Sequence, residues 1–219
     1  MRTPFAVAAL VALPAWGSAA NESLVRELGG ATVDYGAGTI SARAGAAADW
    51  RLPSAEVARP GAERRARAAA QERLKAALGT LSVRPGDKLT GAAISAALAR
   101  ARATDIEYQS NGGVLLTVVV RFADLAGQPA KGSSEAAPAA ATLQVASAPL
   151  ELAPTLAAGA KQATLGWAVY RLGAPPAGTA AIAVKRDRTG RLVLPKEEAT
   201  TLEKLAGVGA VIWVARPIR

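Results

Sequence analysis

The chain has no cysteine and no histidine. It therefore cannot build a Ser-His-Asp triad, a cysteine nucleophile, a zinc finger, a thiolate cluster or a haem held by His or Cys. No disulfide can form, so the fold must rest on its core. Aromatic side chains are sparse too: four Trp, three Tyr and two Phe in 219 residues. That length still allows a sizeable core, as one domain or as two small ones. Alanine is abundant instead, 55 residues, and Arg outnumbers Lys 19 to 7. A compositional bias toward Ala, Gly, Arg and Pro accounts for both, and for part of the net charge of +9. The 51% hydrophobic content overstates the core, because Ala buries little area per residue.

Only the N-terminus carries a sustained apolar run. In MRTPFAVAALVALPAWGSAA, Arg2 supplies a positive n-region and Phe5 to Leu13 are uncharged and apolar. Pro14 breaks the run, and the small residues Gly17, Ser18, Ala19 and Ala20 follow. This is the pattern of a secretory signal peptide over residues 1–20, cleaved after Ala20 with Ser18 and Ala20 at the −3 and −1 positions, or else after Ala19. The run is shorter than the ~20 residues that span a bilayer. No lipid-attachment Cys follows it, and no later segment reaches transmembrane length. The expected location is the periplasm or the extracellular space, with no membrane span in the mature chain.

Beyond the signal, Thr32 to Arg43 has strand character. Val33, Tyr35 and Ala37 share one face, Ile40 and Ala42 take the opposite parity, and the phase change at Gly36 and Gly38 predicts a bulge. A Gly-, Pro- and Ala-rich crossover from Gly45 to Pro60 contains Trp50. Ala62 to Leu78 reads as a helix started by Pro60-Gly61 and ended by Gly79, with Ala66, Ala70, Leu74, Ala77 and Leu78 on its apolar stripe. Ala92 to Ala103 is a second helix and Thr104 to Gln109 a strand. Ser110-Asn111-Gly112-Gly113 is a hairpin signal, since Asn-Gly can take the positive φ that tight turns need. Val114 to Phe122 alternates strictly and is the strongest strand.

Residues 125–141 are low in complexity and read as a flexible linker. It separates an N-terminal domain, 21–124, from a β-rich C-terminal domain, 142–219. In the latter, Leu143 to Ala146, Leu165 to Leu172, Thr179 to Lys185 and Arg191 to Leu194 have strand character, with Asp187 to Gly190 as a turn. Pro195, Glu197 and Glu198 suit the start of a helix running to Leu205. Gly207 and Gly209 stop it before the buried strand Ala210 to Ala215. The expected class is α+β, two small units of antiparallel sheet with helices packed on one face.

The carboxylates Asp34, Asp49, Glu56, Asp105, Glu107 and Asp124 are scattered over strand ends and loops, and nothing in their spacing brings two together for acid–base work. Glu197 and Glu198 fit helix capping. No calcium loop, phosphate cradle or Ser-x-x-Lys arrangement is present. No cofactor is expected. The basic residues are interleaved with acids and few aromatics accompany them, which argues against nucleic acid. Two basic groupings remain as interaction candidates: Arg64, Arg67 and Lys75 along one helix face, and Lys185, Arg186, Arg188 and Arg191 at the hairpin. A solvated face is the ordinary reading of each. Trp167 and Trp213 sit in apolar strands, which favours the core. Trp50, in an irregular and polar neighbourhood, is the aromatic best placed for an interface.

The order of a Gly-containing strand, the helix AERRARAAAQERLKAAL, a short helix and a hydrophobic strand pair resembles the FlgP-type family of small outer-membrane lipoproteins and flagellar accessory proteins. LELAPTLAAGAKQATLGWAVYRL and LPKEEATTLEKLAGVGAVIWVA resemble the second half of that family. The resemblance covers residues 31–124 and 142–215, without the lipidation Cys. It implies a structural or assembly role in the cell envelope and brings no catalytic residues. The expected function is thus a non-catalytic exported envelope or motility-associated assembly or binding module, whose partner is an envelope protein or a second copy of the chain. A soluble periplasmic binder of anionic polymers or ligands and a carboxylate-dependent hydrolase remain as alternatives.

Overall fold

The computed structural model describes residues 24–84, 87–125 and 141–218. The expected signal peptide and nearly all of the expected linker lie outside the described residues. The first half begins with β1 (Val25–Leu28), β2 (Ala31–Asp34) and β3 (Thr39–Ala46). The helix α1 (Ala55–Thr80) follows, then the short hairpin β4 (Ser82–Arg84) and β5 (Asp87–Lys88), and α2 (Gly91–Arg100). It closes with β6 (Arg102–Tyr108), β7 (Val114–Arg121) and the single turn α3 (Phe122–Leu125). The sheet order is β1-β2-β3-β7-β6, antiparallel throughout.

The alternation in β7 sets this sheet. Val114, Leu116, Val118 and Val120 are buried, while the residues between them are half-buried. The buried face meets α1, which packs on β3 and β7 with α2 beside it. The α1 stripe is Ala58, Ala62, Ala66, Ala70, Leu74, Ala77 and Leu78, spaced by three and four. Its small side chains let the helix backbone lie close to the sheet. Close packing thus offsets the small area each Ala buries. Arg73 donates to the Arg43 carbonyl of β3. Arg65 donates to the Ala47 carbonyl at 2.7 Å. These two arginines latch one flank of the helix.

Three local expectations change. The phase shift at Gly36 and Gly38 is a hairpin turn between β2 and β3, not a bulge in one strand. Asp34 Oδ1 accepts from the backbone N–H groups of Gly36 and Ala37 at 2.8 Å each, and Gly38 takes φ +69°. Asp34 thus supplies a carboxylate that closes the turn, and Gly38 the left-handed residue that ends it. The helix starts well before Pro60, which sits inside it. Ser54 is the N-cap, its hydroxyl accepting from Val57 N at 3.4 Å. The cap is worth only about 1 kcal/mol, less than a proline inside a helix costs, so the packing of Ala58 and Ala62 in the core must help to hold the turns on either side of Pro60. At the 110–113 turn only Gly112 takes positive φ, +80°, and Asn111 instead accepts from Gly113 N through Oδ1 at 2.9 Å.

The second half comprises β8 (Ala141–Pro149), β9 (Thr155–Ala158), β10 (Lys161–Thr164), β11 (Trp167–Leu172), β12 (Ile182–Ala183), β13 (Lys185–Arg186) and β14 (Leu192–Val193). A 3-10 turn at Lys196–Glu198, the helix α4 (Thr201–Leu205) and β15 (Gly209–Ile218) complete it. The α+β class holds. The antiparallel expectation fails for this half, because the sheet β11-β15-β8-β12 is parallel at every pairing. The sheet β10-β9-β14-β13 is mixed, with β14 and β9 parallel. In β15, Ala210, Ile212 and Val214 are buried on one face, while Val211 and Trp213 of the other face are half-buried, so the segment AVIWV is apolar on both faces. Trp167 is buried over Gly209, where no side chain would fit. Trp213, expected in the core, is only half-buried.

The two halves meet in one continuous core. Tyr35 stacks edge-on against Phe122 at 5.7 Å and Tyr170 at 6.1 Å. Tyr170 N donates to the Tyr35 carbonyl at 2.9 Å, Arg171 donates to the Gly36 carbonyl, and Ala153 N donates to the Val83 carbonyl at 3.1 Å. Among the described residues no helix is long and apolar enough to cross a membrane.

Candidate functional site

Five large hydrophobic side chains stand exposed among the described residues: Trp50 at 86%, Val57 at 53%, Tyr108 at 52%, Leu52 at 39% and Ile106 at 36%. Trp50, Leu52 and Val57 fall within eight residues around the N-cap of α1. The loop before the cap is held by its own backbone. Leu52 N donates to the Asp49 carbonyl at 3.1 Å, and Asp49 Oδ1 accepts from Arg51 N at 3.1 Å. The turn puts the Trp50 indole outward with the Arg51 guanidinium over it at 5.5 Å. A Trp held this way does not reach the core through its own loop, and its large apolar surface stays in water.

Tyr108 stands on the other flank of the first turns of α1. Its ring carries the Arg59 guanidinium at 5.8 Å, and its hydroxyl lies 3.3 Å from Glu63 Oε2. Arg59 Nε is buried without a hydrogen-bond partner among the described residues, so this guanidinium works through its face. Ile106 lies two residues from Tyr108, on the same face of β6. The β6–β7 turn closes the end: a side chain at Gly112 would meet Ala55 and Ala48 at 3.0–3.2 Å. An apolar and aromatic rim, set with Arg51 and Arg59, therefore surrounds the N-terminal end of α1. Glu56, in its first turn, is held below the usual carboxylate range by its own backbone N–H and by Ser54.

Sequence reasoning singled out Trp50 from this end and missed Leu52, Val57, Ile106 and Tyr108. Val57 was hidden because the helix was expected to start after Pro60. The basic stripe does not join the rim as one patch. Arg64 and Lys75 are exposed on the outer face of α1, and Arg67 is half-buried and paired with Glu63 at 3.2 Å. Lys75 lies twenty residues beyond Ala55, roughly 30 Å along the helix axis.

The hairpin cluster is dispersed as well. Arg191 is tied to Asp187, Nε to Oδ2 at 2.9 Å, and Asp187 Oδ1 also accepts from Thr189 N, Thr189 Oγ1 and Arg191 N. Those donors, Thr189 first, hold the Asp187 carboxyl down to about 2. Lys185 and Arg186 are successive residues of β13 and so point to opposite sides. Lys185 lines a cleft of about 790 Å³ with Gln144, Pro195 and Glu197, Arg186 lies on the side that influences Glu151, and Arg188 is exposed on the turn.

The carboxylates considered for catalysis have structural positions. Asp34 and Asp49 close turns, Glu56 begins α1, Glu107 pairs with Arg43 at 3.1 Å and Asp124 with Arg121 at 3.4 Å. Asp105 and Glu107 share an exposed face of β6. A different acid is perturbed: Glu151, 7% exposed at the junction of the halves, is pushed up to about 7 by burial, against the pull of Arg186. The Tyr170 hydroxyl accepts from Glu151 N and donates to the Glu151 carbonyl, both at 3.1 Å. Burial raises Tyr170 and, against the neighbouring Arg26, Tyr35 as well. Among the described residues no group of three acids could hold a metal ion. No protein-family model and no curated protein matches the chain.

Proposed function

We propose that the chain is a non-catalytic exported module of the cell envelope that works by binding, with its contact surface at the Trp50 end of the first half. The observation that carries this reading is that rim: the large hydrophobic side chains left in water gather around one end of one helix, with arginines set among them. Trp, Tyr and Arg are the residue types that anchor protein interfaces. Elsewhere among the described residues no large hydrophobic side chain is exposed, and the outer face of α1 carries charges such as Arg64 and Lys75. A protein partner in the envelope, or a second copy of the chain, is the ligand such a rim fits. The positions of the carboxylates support a role other than acid–base catalysis.

The test is co-purification from the envelope fraction of the native host. Wild type should retain a defined partner, or itself as an oligomer. The triple variant Trp50→Ala, Leu52→Ala, Val57→Ala should fold with unchanged circular dichroism and lose it. Equal retention by both proteins would refute the assignment of the surface. Retention that instead disappears as salt is raised, and that Lys75→Ala together with Arg64→Ala abolishes, would favour the anionic-polymer reading.

A further inference from the structure

The parallel sheet of the second half has a step in its edge. β12 lies beside β8 for two residues only, Ile182 with Leu143 and Ala183 with Gln144. Val184 N then donates to the Gln144 carbonyl at 2.8 Å. There the chain leaves this sheet, and Lys185 pairs with Val193 of β14 in the other one. β8 itself runs on to Pro149 beside β15 without a change of register. Among the described residues no strand pairs with β8 beyond Gln144 on the side that β12 leaves. Successive residues of a strand direct their backbone groups to alternate edges. Gln144 directs its carbonyl to the β12 side, so Ala146, two residues on, offers its N–H and C=O to the same vacated side. A free sheet edge of this kind is a template for another strand.

The cleft of about 790 Å³ opens at this step. Val145 and Ala146 of β8 line it together with Val184 and Leu194. Val145, Val184 and Leu194 are buried, so they form a fixed apolar wall. The charged residues on the lining are Lys185 and Glu197, one of each sign, so the cleft offers no net charge to a ligand. What fits carries a backbone donor and acceptor beside Ala146, apolar groups to either side, and no net charge. An extended peptide has all three, and the volume lies in the range of small-ligand sites. We infer that this cleft binds a short extended segment of peptide, which adds a strand to β8. One residue of the segment pairs with Ala146. The side chains of its two neighbours point, like that of Val145, to the other face of the strand and meet the apolar wall. The site shares no residue with the Trp50 end and does not depend on it.

Titration of the purified protein with acetyl-Val-Thr-Val-amide, followed through its backbone amide NMR signals, tests this. The amides of Ala146, Val184 and Leu194 should shift saturably, and those around Trp50 should not. Methylating the Thr nitrogen of the probe removes its donor to the Ala146 carbonyl and should weaken binding about ten-fold or more, because a covered acceptor is left without a partner. Ala146→Pro removes the N–H on the free edge, which the β8–β15 pairing does not use. It should fold with the circular dichroism of wild type and lose a similar factor. Ala146→Gly keeps both backbone groups and should bind as wild type does. No saturable shift, shifts centred on Trp50, or undiminished binding of the methylated probe or by a folded Ala146→Pro would overturn the site. If Ala146→Pro does not fold, the methylated probe decides alone. Tighter binding of free Val-Thr-Val, with its charged ends, would assign the site to short soluble peptides. Tighter binding of the blocked probe would assign it to a segment within a longer chain.

Discussion

Replacing Glu151 by Gln tests the junction of the two halves through its pH dependence. Glu151 is buried between the halves, and its carboxyl sits at about 7 in the folded protein instead of the ordinary 4.5, because burial disfavours the charge more than Arg186 favours it. For an acid raised in the folded state, the penalty is absent below the unfolded value. It grows as pH rises from 4.5 toward 7, because the unfolded chain ionises while the folded one resists. Above 7 it is complete. The size follows from the difference in the two values at about 1.4 kcal/mol each unit, roughly 3 kcal/mol in total. Gln keeps the shape and cannot ionise. Urea denaturation of both proteins from pH 4 to pH 8 is the assay. The stability of wild type relative to Glu151→Gln should fall by about 3 kcal/mol across that range, with most of the change between pH 5 and pH 7.5. Two parallel curves would refute the burial of this carboxyl at the junction.

Other outcomes follow from the same geometry. Gly38→Ala should destabilise by about 2 kcal/mol in chemical denaturation, because φ is positive there and the new Cβ would lie 2.8 Å from Val169 Cγ2 of the other half. Leu116→Ala, at a fully buried position of β7 under α1, should cost about 2–5 kcal/mol. Ser54→Ala should cost about 1 kcal/mol through loss of the α1 N-cap and increase hydrogen exchange in the first turns of that helix. Trp50→Ala, at an exposed position, should change stability by less than about 0.5 kcal/mol while removing the binding proposed for that end.

The first half was legible where one periodicity ruled. β7 alternates without interruption, and α1 repeats its apolar stripe for five turns, so both declared themselves. The start of α1 did not, because Pro60-Gly61 reads as a helix start, while Ser54, the actual cap, lies in the Gly-, Pro- and Ala-rich stretch before it. Gly36 and Gly38 showed that the chain changes phase there, but a bulge and a hairpin turn use the same glycines. The carboxylate of Asp34, reaching two backbone N–H groups, decided for the turn. In the second half no local signal separates a parallel from an antiparallel pairing. β8, β11 and β15 carry no residue pattern that would differ between the two cases, and their neighbours are set by contacts distant in sequence. The site was half-legible for the same reason. Trp50 stood out as a large aromatic among polar residues. Tyr108 and Ile106 read as an ordinary strand, and only the placement of β6 at the sheet edge leaves them in water. Arg64, Arg67 and Lys75 read as one basic stripe; the fold pairs Arg67 with Glu63 and leaves Arg64 and Lys75 to solvent, while Arg65 and Arg73, which the stripe did not include, latch the helix to the neighbouring loop and to β3.

The most direct test of the Trp50 end as the contact surface is site-specific photo-crosslinking in the native host, with the probe at position 50 and, separately, at position 75. The probe at position 50 should give one discrete adduct in the envelope fraction, and the probe at position 75, roughly 30 Å away along α1, should not. No adduct at position 50, or the same adducts from both positions, would contradict the account.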